Sequence, residues 1–508
     1  MKFKNFYFFY LLCFSSFGQD RIQIGITSPS NLIRVVNLKD KGIIQLDKAS
    51  NGFLKIKKFD QNLNLVWDLD SELPPRTTFV EEFVDDKFLY LLLETRNSDV
   101  LNVLKISTAF AATQKYTIKS VPNFEVSYFK ASENMICIAG NVKKETMLIF
   151  YDPNSNAPKF VSSNLKGETL LQSIEIDPIG ANVVLLNKNK KKTEIVFRNY
   201  LFSGKLNQTL QITSQNEFEF LSAKFFESKG KRMLIGNYGL KTNARDEYSS
   251  SQGIFITNLG DIKKTRYYGF ETLKSFFGFL NQKQQDRLSK QVKKKKDKGS
   301  EYRFDYRLLI NEVLPSNGKL LISSEVFVPE FRNNTMSNSP FFGNPLMYQS
   351  SLWGRQYINS AYWANNPALW GYRTRSSQTF DRFKYIQGLV LAIDEQGELV
   401  WDNTVQYKNL KYFDLKSHLK LSDNGEKTLV SYARDNKLQV AEFDSLGKLM
   451  KNSEIDKNKE DRMSKFRKSE FENFEHWYDQ YFLNWGVVKN ADANSNFKLS
   501  CFIQKIQY

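Results

Sequence analysis

The sequence predicts an all-β fold, a single β-propeller with eight blades. Short apolar runs with the character of strands alternate with polar turns along the chain. One class of turn recurs about every 45 to 50 residues through the first five units, and a second class follows it within each unit. A repeat of that length in an all-β pattern matches a four-stranded blade with its loops. Seven blades are the alternative, for the case that the first or last unit is not a blade.

The first class of turn leads into an apolar run such as FLYLLL or MICIAG. It is rich in Asp, Asn, Ser and Gly, which adopt tight turns most readily. Its copies lie at 39–42, 85–86, 132–134, 177–180, 228–230, 316–318, 422–425 and 490–496. Eight such hairpins predict eight blades.

The second class of turn begins with an apolar residue that is followed, in most copies, by Asp. The best copies follow Phe59, Ile393 and Phe443, and weaker ones follow Tyr151, Leu201 and Ile256. We expect each to join the outer two strands of a blade, with Asp accepting backbone hydrogen bonds and Gly adopting a positive φ. Calcium binding is the weaker interpretation. In the first-class turn 490–496, Asn and Asp alternate as calcium ligands would. An EF-type loop counted from Asp492 needs Gly at its sixth position and Glu at its twelfth, where this chain has Phe497 and Ile503.

The N-terminal residues 1–19 have the features of a secretory signal peptide, so we expect export and a mature chain of residues 20–508. Two lysines precede an apolar run at 6–14, which is too short to cross a bilayer as a helix. Cleavage is expected near Gly18. A lipoprotein signal at Cys13 is the less favoured alternative, because two bulky leucines precede that cysteine where small residues are needed.

The last unit supplies two clear strands, around 477–488 and 497–505, and needs a partner. The apolar strand 22–26 lies directly after the predicted cleavage site. We expect it to complete the last blade and close the propeller, because open strand edges invite aggregation. No later segment approaches the roughly 18 uninterrupted apolar residues of a membrane helix, so we expect no transmembrane span in the mature chain.

The chain is basic, with 72 Lys and Arg against 55 Asp and Glu and a formal net charge of +17. Loss of Lys2 and Lys4 with the signal leaves +15. Such an excess favours acidic surroundings, for which lipid A phosphates, acidic glycans and an acidic protein are the candidates in an exported protein. Nucleic acid is not an expected partner, because the chain is exported.

The segment 271–300 is the first of two insertions in the sixth unit. Its apolar residues recur at helical spacing and predict a helix with one docked face. These residues are Leu273, Phe276, Phe277, Leu280, Leu288 and Val292. The tail is a dense positive patch of Lys293, Lys294, Lys295, Lys296 and Lys298, a candidate contact for an anionic surface or an acidic partner. A solvated loop is the alternative.

The second insertion, 329–382, is rich in aromatic residues separated by Asn, Ser and Gly. Flat rings bury a large area at low entropic cost, so they suit a partner-binding surface. The candidates are Phe341, Phe342, Tyr348, Trp353, Tyr357, Tyr362, Trp363, Trp370 and Tyr372. Packing onto the blade beneath, contact with a protein and stacking on sugars are the three alternatives for these rings.

The sequence predicts no catalytic, cofactor or metal site. His418 and His476 are the two histidines, and we expect His418 on the polar face of a strand over 413–421, beside lysines. Motifs for a serine nucleophile, for zinc and for nucleotide phosphates are absent from the sequence. Paired carboxylates from different blades stay an open alternative, because acids far apart in the sequence can meet near the axis.

Two further groups of residues have structural interpretations. Cys137 and Cys501 lie in apolar strand-like runs and are expected to be buried free thiols. Asp68, Asp70 and Glu72 are clustered, and we expect them in an ordinary connecting loop.

The segment 386–402, IQGLVLAIDEQGELVWD, together with the signal ending SFGQ and the richness in Asn, Lys and Phe, resembles the uncharacterised exported β-propeller proteins of Bacteroidota. The resemblance implies a Gram-negative envelope, where such proteins serve as accessory parts of outer-membrane assemblies. It implies no catalytic residues. The repeated Asp-box turns of sialidase propellers are absent from the sequence.

The resulting hypothesis is a non-enzymatic interaction or scaffold component of the cell envelope, an accessory subunit of a complex associated with the outer membrane. The expected location is the periplasm or the outer membrane, with the cell surface as an alternative. The alternative function is a glycan-binding or glycan-active protein that uses the aromatic insertion 329–382.

Overall fold

The computed structural model describes residues 21–26, 33–49, 52–143, 145–189, 192–215, 217–241, 250–333, 378–413, 415–434, 437–456, 471–491 and 497–508. They belong to two compact units. One unit consists of residues 1–71 with 465–508, and the other consists of residues 72–464.

Eight four-stranded antiparallel sheets form an eight-bladed β-propeller, which confirms the predicted fold class. The first four blades are β2 (Ile33–Asn37), β3 (Ile43–Lys48), β4 (Phe53–Phe59) and β5 (Leu65–Glu72); β6 (Thr77–Val84), β7 (Phe88–Thr95), β8 (Val100–Ser107) and β9 (Thr113–Lys119); β10 (Phe124–Ser132), β11 (Met135–Val142), β12 (Glu145–Asp152) and β13 (Ala157–Ser162); β14 (Glu168–Ile176), β15 (Gly180–Asn189), β16 (Lys192–Leu201) and β17 (Leu206–Thr213).

The next three blades follow the same order. They are β18 (Phe218–Ser228), β19 (Lys231–Leu240), β20 (Ser251–Asn258) and β21 (Asp261–Gly269); β22 (Arg307–Ser316), β23 (Lys319–Asn333), β24 (Gln378–Asp394) and β25 (Leu399–Tyr412); β26 (Lys420–Asp423), β27 (Lys427–Arg434), β28 (Lys437–Asp444) and β29 (Leu449–Asp456). The helical elements are the 3₁₀ turns Lys39–Lys41 and Phe270–Thr272 and the helix α1 (Gln282–Lys296).

The eighth blade combines the two ends of the described chain. Its strands are β30 (Phe471–Tyr478), β31 (Tyr481–Ala491), β32 (Phe497–Gln507) and β1 (Arg21–Gly25). β1 runs antiparallel to β32, with Ile22 opposite Ile503 and Ile24 opposite Cys501. The same compact unit contains the first blade. The indole nitrogen of Trp477 donates a hydrogen bond to the backbone carbonyl of Gly42, before β3 of that blade, over 3.3 Å.

The eighth turn of the first class was assigned to the wrong hairpin, although the count of blades was right. Residues 490–496 connect the second and third strands of their blade in the sequence, whereas the first-class turns of the other seven blades join the first and second strands. In the eighth blade, the turn between the first and second strands, β30 and β31, is formed by Asp479 and Gln480, with Asp479 at φ 44°. It was hidden because Tyr478 and Tyr481 flank it, so that 477–488 had the pattern of one continuous strand.

Asp and Gly of the second class of turn serve turn geometry, as predicted. The carboxylate Oδ1 of Asp394 accepts from the backbone nitrogens of Gln396 and Glu398, each at 2.8 Å. Asp60 and Asp444 make the corresponding pair of bonds in their own blades. Gly447 lies at φ 80°, and a Cβ there would come within 2.5 Å of the Trp401 ring. The turn therefore needs glycine both for its backbone and for its contact with the preceding blade.

Neighbouring blades of the larger unit pack through apolar clusters. A separate cluster lies between each pair of consecutive blades from the second blade to the seventh. Cys137 belongs to one of them, and both Cys137 and Cys501 are buried free thiols, as predicted. Burial raises the pKa of each thiol to about 12, so these cysteines serve as small apolar side chains.

The acidic group Asp68, Asp70 and Glu72 lies on a strand, not in a connecting loop as predicted. All three are exposed on one face of β5, the outer strand of the first blade. The prediction failed because alternating exposed acids and half-buried apolar residues on an outer strand resemble a polar loop in composition. They are separate exposed carboxylates along one edge strand.

Candidate functional site: an anchored basic helix

The helical segment was predicted as an insertion in the sixth blade, but it lies in the connection between β21 and β22, which joins the fifth blade to the sixth. Its helix begins at Gln282, nine residues after the predicted apolar stripe begins at Leu273. Asn281 caps it, with its side chain accepting from the backbone nitrogen of Gln284 at 3.0 Å while the Gln284 side chain accepts from the Asn281 backbone nitrogen. The residues before this capping box form a folded loop, although their spacing continues that of the helix.

Polar side chains of the sixth blade hold that loop in place. The carboxylate of Asp402 accepts from the backbone nitrogens of Lys274, at 3.0 Å, and Ser275, at 2.7 Å. It also accepts from the Ser275 hydroxyl at 2.5 Å. The side-chain nitrogen of Gln387 donates to the carbonyl of Phe276 over 2.7 Å. Side-chain hydrogen bonds from the third and fourth strands of the blade therefore fix the start of the insertion.

Apolar contacts hold the same loop and one face of α1. Phe276 is fully buried and stacks on Phe270, with the ring centroids 4.0 Å apart. Leu288 and Val292 of α1 pack against the apolar cluster between the fifth and sixth blades. The prediction that one stripe of this segment docks on the propeller agrees with these contacts.

The rest of α1 is exposed and strongly basic. Its exposed cations are Lys283, Arg287, Lys290, Lys293, Lys294, Lys295 and Lys296, and Lys298 follows the helix. The acids nearby in the sequence are Asp286, which accepts from Gln282 at 2.9 Å, and Asp297 at the C-terminal cap. The four lysines in the last helical turn also complement the negative end of the helix dipole. The predicted lysine tail is thus exposed, and it has a stabilising role within the helix itself.

Asp402 offers a test of the anchor, because its carboxylate joins the loop to β25. Replacing Asp402 by Ala is expected to raise the rate of tryptic cleavage within α1 roughly tenfold, since each lost bond to a charged group contributes about 1.5 to 3 kcal/mol. Limited proteolysis followed by mass spectrometry measures this rate. The matched control is Asp68→Ala, because Asp68 ends the same LVWD sequence in β5 and is exposed. Equal cleavage of the two variants would contradict the anchoring role.

A second candidate arrangement, which the sequence analysis missed, lies on the first strands of consecutive blades. The first strands of the second to sixth blades each carry a β-bulge at the equivalent position. Three residues beyond the bulged residue, the third, fourth and fifth blades present Lys130, Glu175 and Lys224 in turn. The Lys130 ammonium lies 3.3 Å from the Glu175 carboxylate. Aligning the units on their first turns brings Lys130 and Glu175 into register, each two residues before its turn, whereas Lys224 lies four residues before its turn and would have been missed.

Lys224 is the most perturbed member of that row. Burial lowers the pKa of its ammonium to about 8, against the opposing influence of Glu175 and Glu312. Its nitrogen donates to the carbonyl of Asn311 over 2.7 Å, which links the first strands of the fifth and sixth blades. An amine that titrates near pH 8 is capable of proton transfer, and here it is engaged by a backbone acceptor.

The prediction that His418 lies on the polar face of a strand is wrong. Residues 415–419 precede β26 as irregular chain, and His418 is buried. Its ring stacks on Tyr412 with centroids 3.9 Å apart and meets the Tyr385 ring edge-on at 4.7 Å. Phe413, which strand alternation over 413–421 would place on the face opposite His418, is 59% exposed. The alternation rule failed because it assumes a regular strand, and this segment is shaped by the aromatic rings it packs against.

A fully buried carboxylate, Glu325, organises the same region. It accepts from the hydroxyl of Tyr407 at 2.7 Å, the side-chain amide of Asn311 at 2.8 Å and the backbone nitrogen of His418 at 2.9 Å. Gly388 lies opposite Glu325 in the sheet, and a Cβ there would approach the Tyr407 hydroxyl to 3.0 Å. Burial raises the pKa of Glu325, although its three donors lower it.

Burial also controls the second titratable group of this cluster. It lowers the pKa of His418 well below the ordinary value, and the charges of Lys416 and Lys420 act in the same direction. The Nε2 atom of His418 is buried and accepts or donates no hydrogen bond among the described residues. The imidazole therefore packs as a neutral aromatic ring.

The aromatic insertion extends from the hairpin of β23 and β24, the second and third strands of the sixth blade. Its candidates Phe341, Phe342, Tyr348, Trp353, Tyr357, Tyr362, Trp363, Trp370 and Tyr372 lie outside the described residues. Near the base of the hairpin, the Glu330 carboxylate pairs with Lys411 at 2.8 Å.

The described residues contain no group of three or more His, Cys, Asp and Glu side chains placed to hold a metal ion. In the same ranges, no helix has the length and apolar character that crossing a membrane requires.

No protein-family model matches the chain, and no curated protein matches it in sequence. Among solved structures, the polysaccharide lyase Uly1 is 10% identical, with 85% of this chain and 90% of the lyase covered and a TM-score of 0.41. Prolyl oligopeptidase B from Galerina marginata is also 10% identical, covers 93% of this chain and gives a TM-score of 0.39; this chain covers 55% of that peptidase, about half its length. The AfRom2 CNH domain is 10% identical, with 85% and 96% covered and a TM-score of 0.33. Likeness at this level carries no information about activity.

Proposed function

We propose that this chain is a non-enzymatic interaction module of a bacterial cell envelope, exported by its N-terminal signal and serving as an accessory subunit of a complex associated with the outer membrane. One observation carries the proposal: α1 is fixed to the sixth blade through Asp402 and Phe276 while its cations face solvent. A rigid scaffold that presents a preordered charged element suits binding, because little conformational entropy is lost on contact.

The positions of the buried carboxylate, the histidines and the thiols, which are the side chains most often used in catalysis, support the same proposal. Glu325 is bound by three donors, His418 is packed between two rings, and the His476 Nε2 pairs with the carbonyl of Asp479 at 2.8 Å. The thiols of Cys137 and Cys501 are buried. Each of these groups has a role in holding the fold, so binding accounts for the arrangement without a reaction.

Pull-down from native membranes tests the proposal. The tagged mature chain is expected to co-purify with a defined set of envelope proteins after mild solubilisation. We expect that set to be lost when residues 334–377 are replaced by a short Gly-Ser link, and to be weakened when every Lys and Arg of 283–298 is changed to Gln. The control changes the exposed lysines Lys115, Lys119 and Lys159 of two outer strands to Gln. Retention of the whole set by both test variants would contradict the proposal, and a gain of polysaccharide retention or cleavage would favour the glycan alternative.

A further inference from the structure

Four of the eight cations form a single row on α1. Lys283, Arg287, Lys290 and Lys294 recur at i, i+4, i+7 and i+11, which places them on one face of a helix with 3.6 residues per turn. The docked residues Leu288 and Val292 lie on the other side, because they follow Arg287 and Lys290 by one and two positions. All four side chains of the row are exposed. We call Lys283, Arg287, Lys290 and Lys294 the outward row.

The remaining cations have other positions. Lys293, Lys295 and Lys296 lie off the outward row in the last turn, and Lys298 follows the helix. Lys296 is near enough to Glu271 to lower the pKa of that carboxyl, which burial raises overall. The lysine run that stands out in the sequence is therefore distributed around the helix, and the outward row is the set that one surface can contact at once.

The chemistry of the outward row is purely electrostatic. In the described part of the chain no ion pair engages any of its four cations, and no apolar side chain of α1 is exposed beside them. Protein interfaces have cores that are enriched in aromatic residues and depleted of lysine. The outward row has the opposite composition, because three of its four residues are lysines and none is aromatic. Clusters of four to eight Lys and Arg on a helix are typical of proteins that bind anionic lipids.

We propose that the outward row of α1 docks on the phosphate headgroups of an anionic lipid surface. The row extends over roughly 16 Å at 1.5 Å per residue, and it can meet several mobile phosphates on a plane at the same time. The absence of exposed apolar side chains on α1 means that the helix lies on the surface and inserts nothing into it. The inference rests on the proposed function and names the surface against which the module is held.

Binding to lipid vesicles tests this inference with two variants that lose the same charge. The outward-row variant carries K283Q, R287Q, K290Q and K294Q, and the matched control carries K293Q, K295Q, K296Q and K298Q. The mature chain is sedimented with phosphatidylcholine vesicles that contain or lack phosphatidylglycerol. Each cation near an anionic surface contributes about fivefold in affinity. The affinity of the outward-row variant for the anionic vesicles is therefore expected to fall roughly a hundredfold or more, and that of the control less than about tenfold. Circular dichroism confirms that both variants retain the fold.

Three outcomes would overturn the inference. Equal losses by the two variants would mean that diffuse charge, and not the outward row, determines binding. Absence of binding to anionic vesicles at low ionic strength would exclude the lipid surface, because screening is weakest there. Retention on an acidic polysaccharide, with no vesicle binding at the same ionic strength, would identify a linear polyanion as the ligand. The pull-down of envelope proteins after solubilisation is scored separately, so the proposed function can stand when the lipid inference fails.

Discussion

Replacement of Glu325 by Ala is expected to lower the free energy of unfolding by about 4 kcal/mol, the largest effect on stability that the structure predicts. The buried carboxylate accepts from Tyr407, Asn311 and His418, which belong to three separate segments of the chain. Each donor left without a partner contributes about 1 to 3 kcal/mol of destabilisation. Urea unfolding followed by tryptophan fluorescence measures the change.

Glu330 provides the matched control, because it lies on the same strand and pairs with Lys411 near the protein surface. Half-exposed pairs of this kind contribute less than about 1 kcal/mol, so Glu330→Ala is expected to be nearly neutral. Glu325→Gln keeps one oxygen acceptor and is expected to fall between wild type and Glu325→Ala. If Glu325→Ala is as stable as Glu330→Ala, the buried network does not hold the sixth and seventh blades together.

Replacement of His418 by Phe is expected to make the protein more stable than the wild type in mild acid, with a gain that grows as the pH falls below about 6.5. The pKa of His418 is lower in the folded state than its unfolded value near 6.5. Its contribution to stability is therefore complete above about pH 6.5 and is lost as the pH falls, by up to about 1.4 kcal/mol per unit. Phe cannot be protonated and keeps the stack on Tyr412.

Glu325 acts in the opposite direction over the acid range. Its pKa is raised in the folded state, so its contribution is complete below about pH 4.3 and is lost as the pH rises. Comparison of wild type with His418→Phe at each pH isolates the histidine, because both proteins contain Glu325. His418→Asn is the control for packing: like His418→Phe it should lack the loss of stability that the histidine causes in acid, but it should be less stable at pH 7. An unchanged acid slope in both variants would refute the neutral buried imidazole.

The architecture was accessible from the sequence because turns and strand length follow local rules. An Asp such as Asp394 accepts bonds from nitrogens two and four residues later, and this pattern is visible in single-letter code. The same rules failed at Asp479, where flanking tyrosines hide the turn between β30 and β31. Blade number could be predicted since each blade repeats its turns, whereas the assignment of a single hairpin depends on one or two residues.

The site was less accessible, because it depends on contacts between distant segments. Asp402 meets the loop at 274–275 across more than a hundred residues of chain, and no local pattern indicates this pairing. The alternation of residues over 413–421 predicted His418 on the polar face of a strand, yet rings from β24 and β25 cover it. The lysine run was conspicuous, but the outward row became visible only once the helix was known to begin at Gln282.

The central claim is that the exposed face of α1 is a contact surface of this protein, and photocrosslinking in cells that produce the protein tests it most directly. A photoreactive residue is placed at Arg287, on the outward row, and in a control chain at Asp70, exposed on β5. The account predicts a strong adduct with an envelope component from position 287 that fades when Lys283, Lys290 and Lys294 are changed to Gln. No adduct from position 287, or equal labelling from position 70, would contradict it.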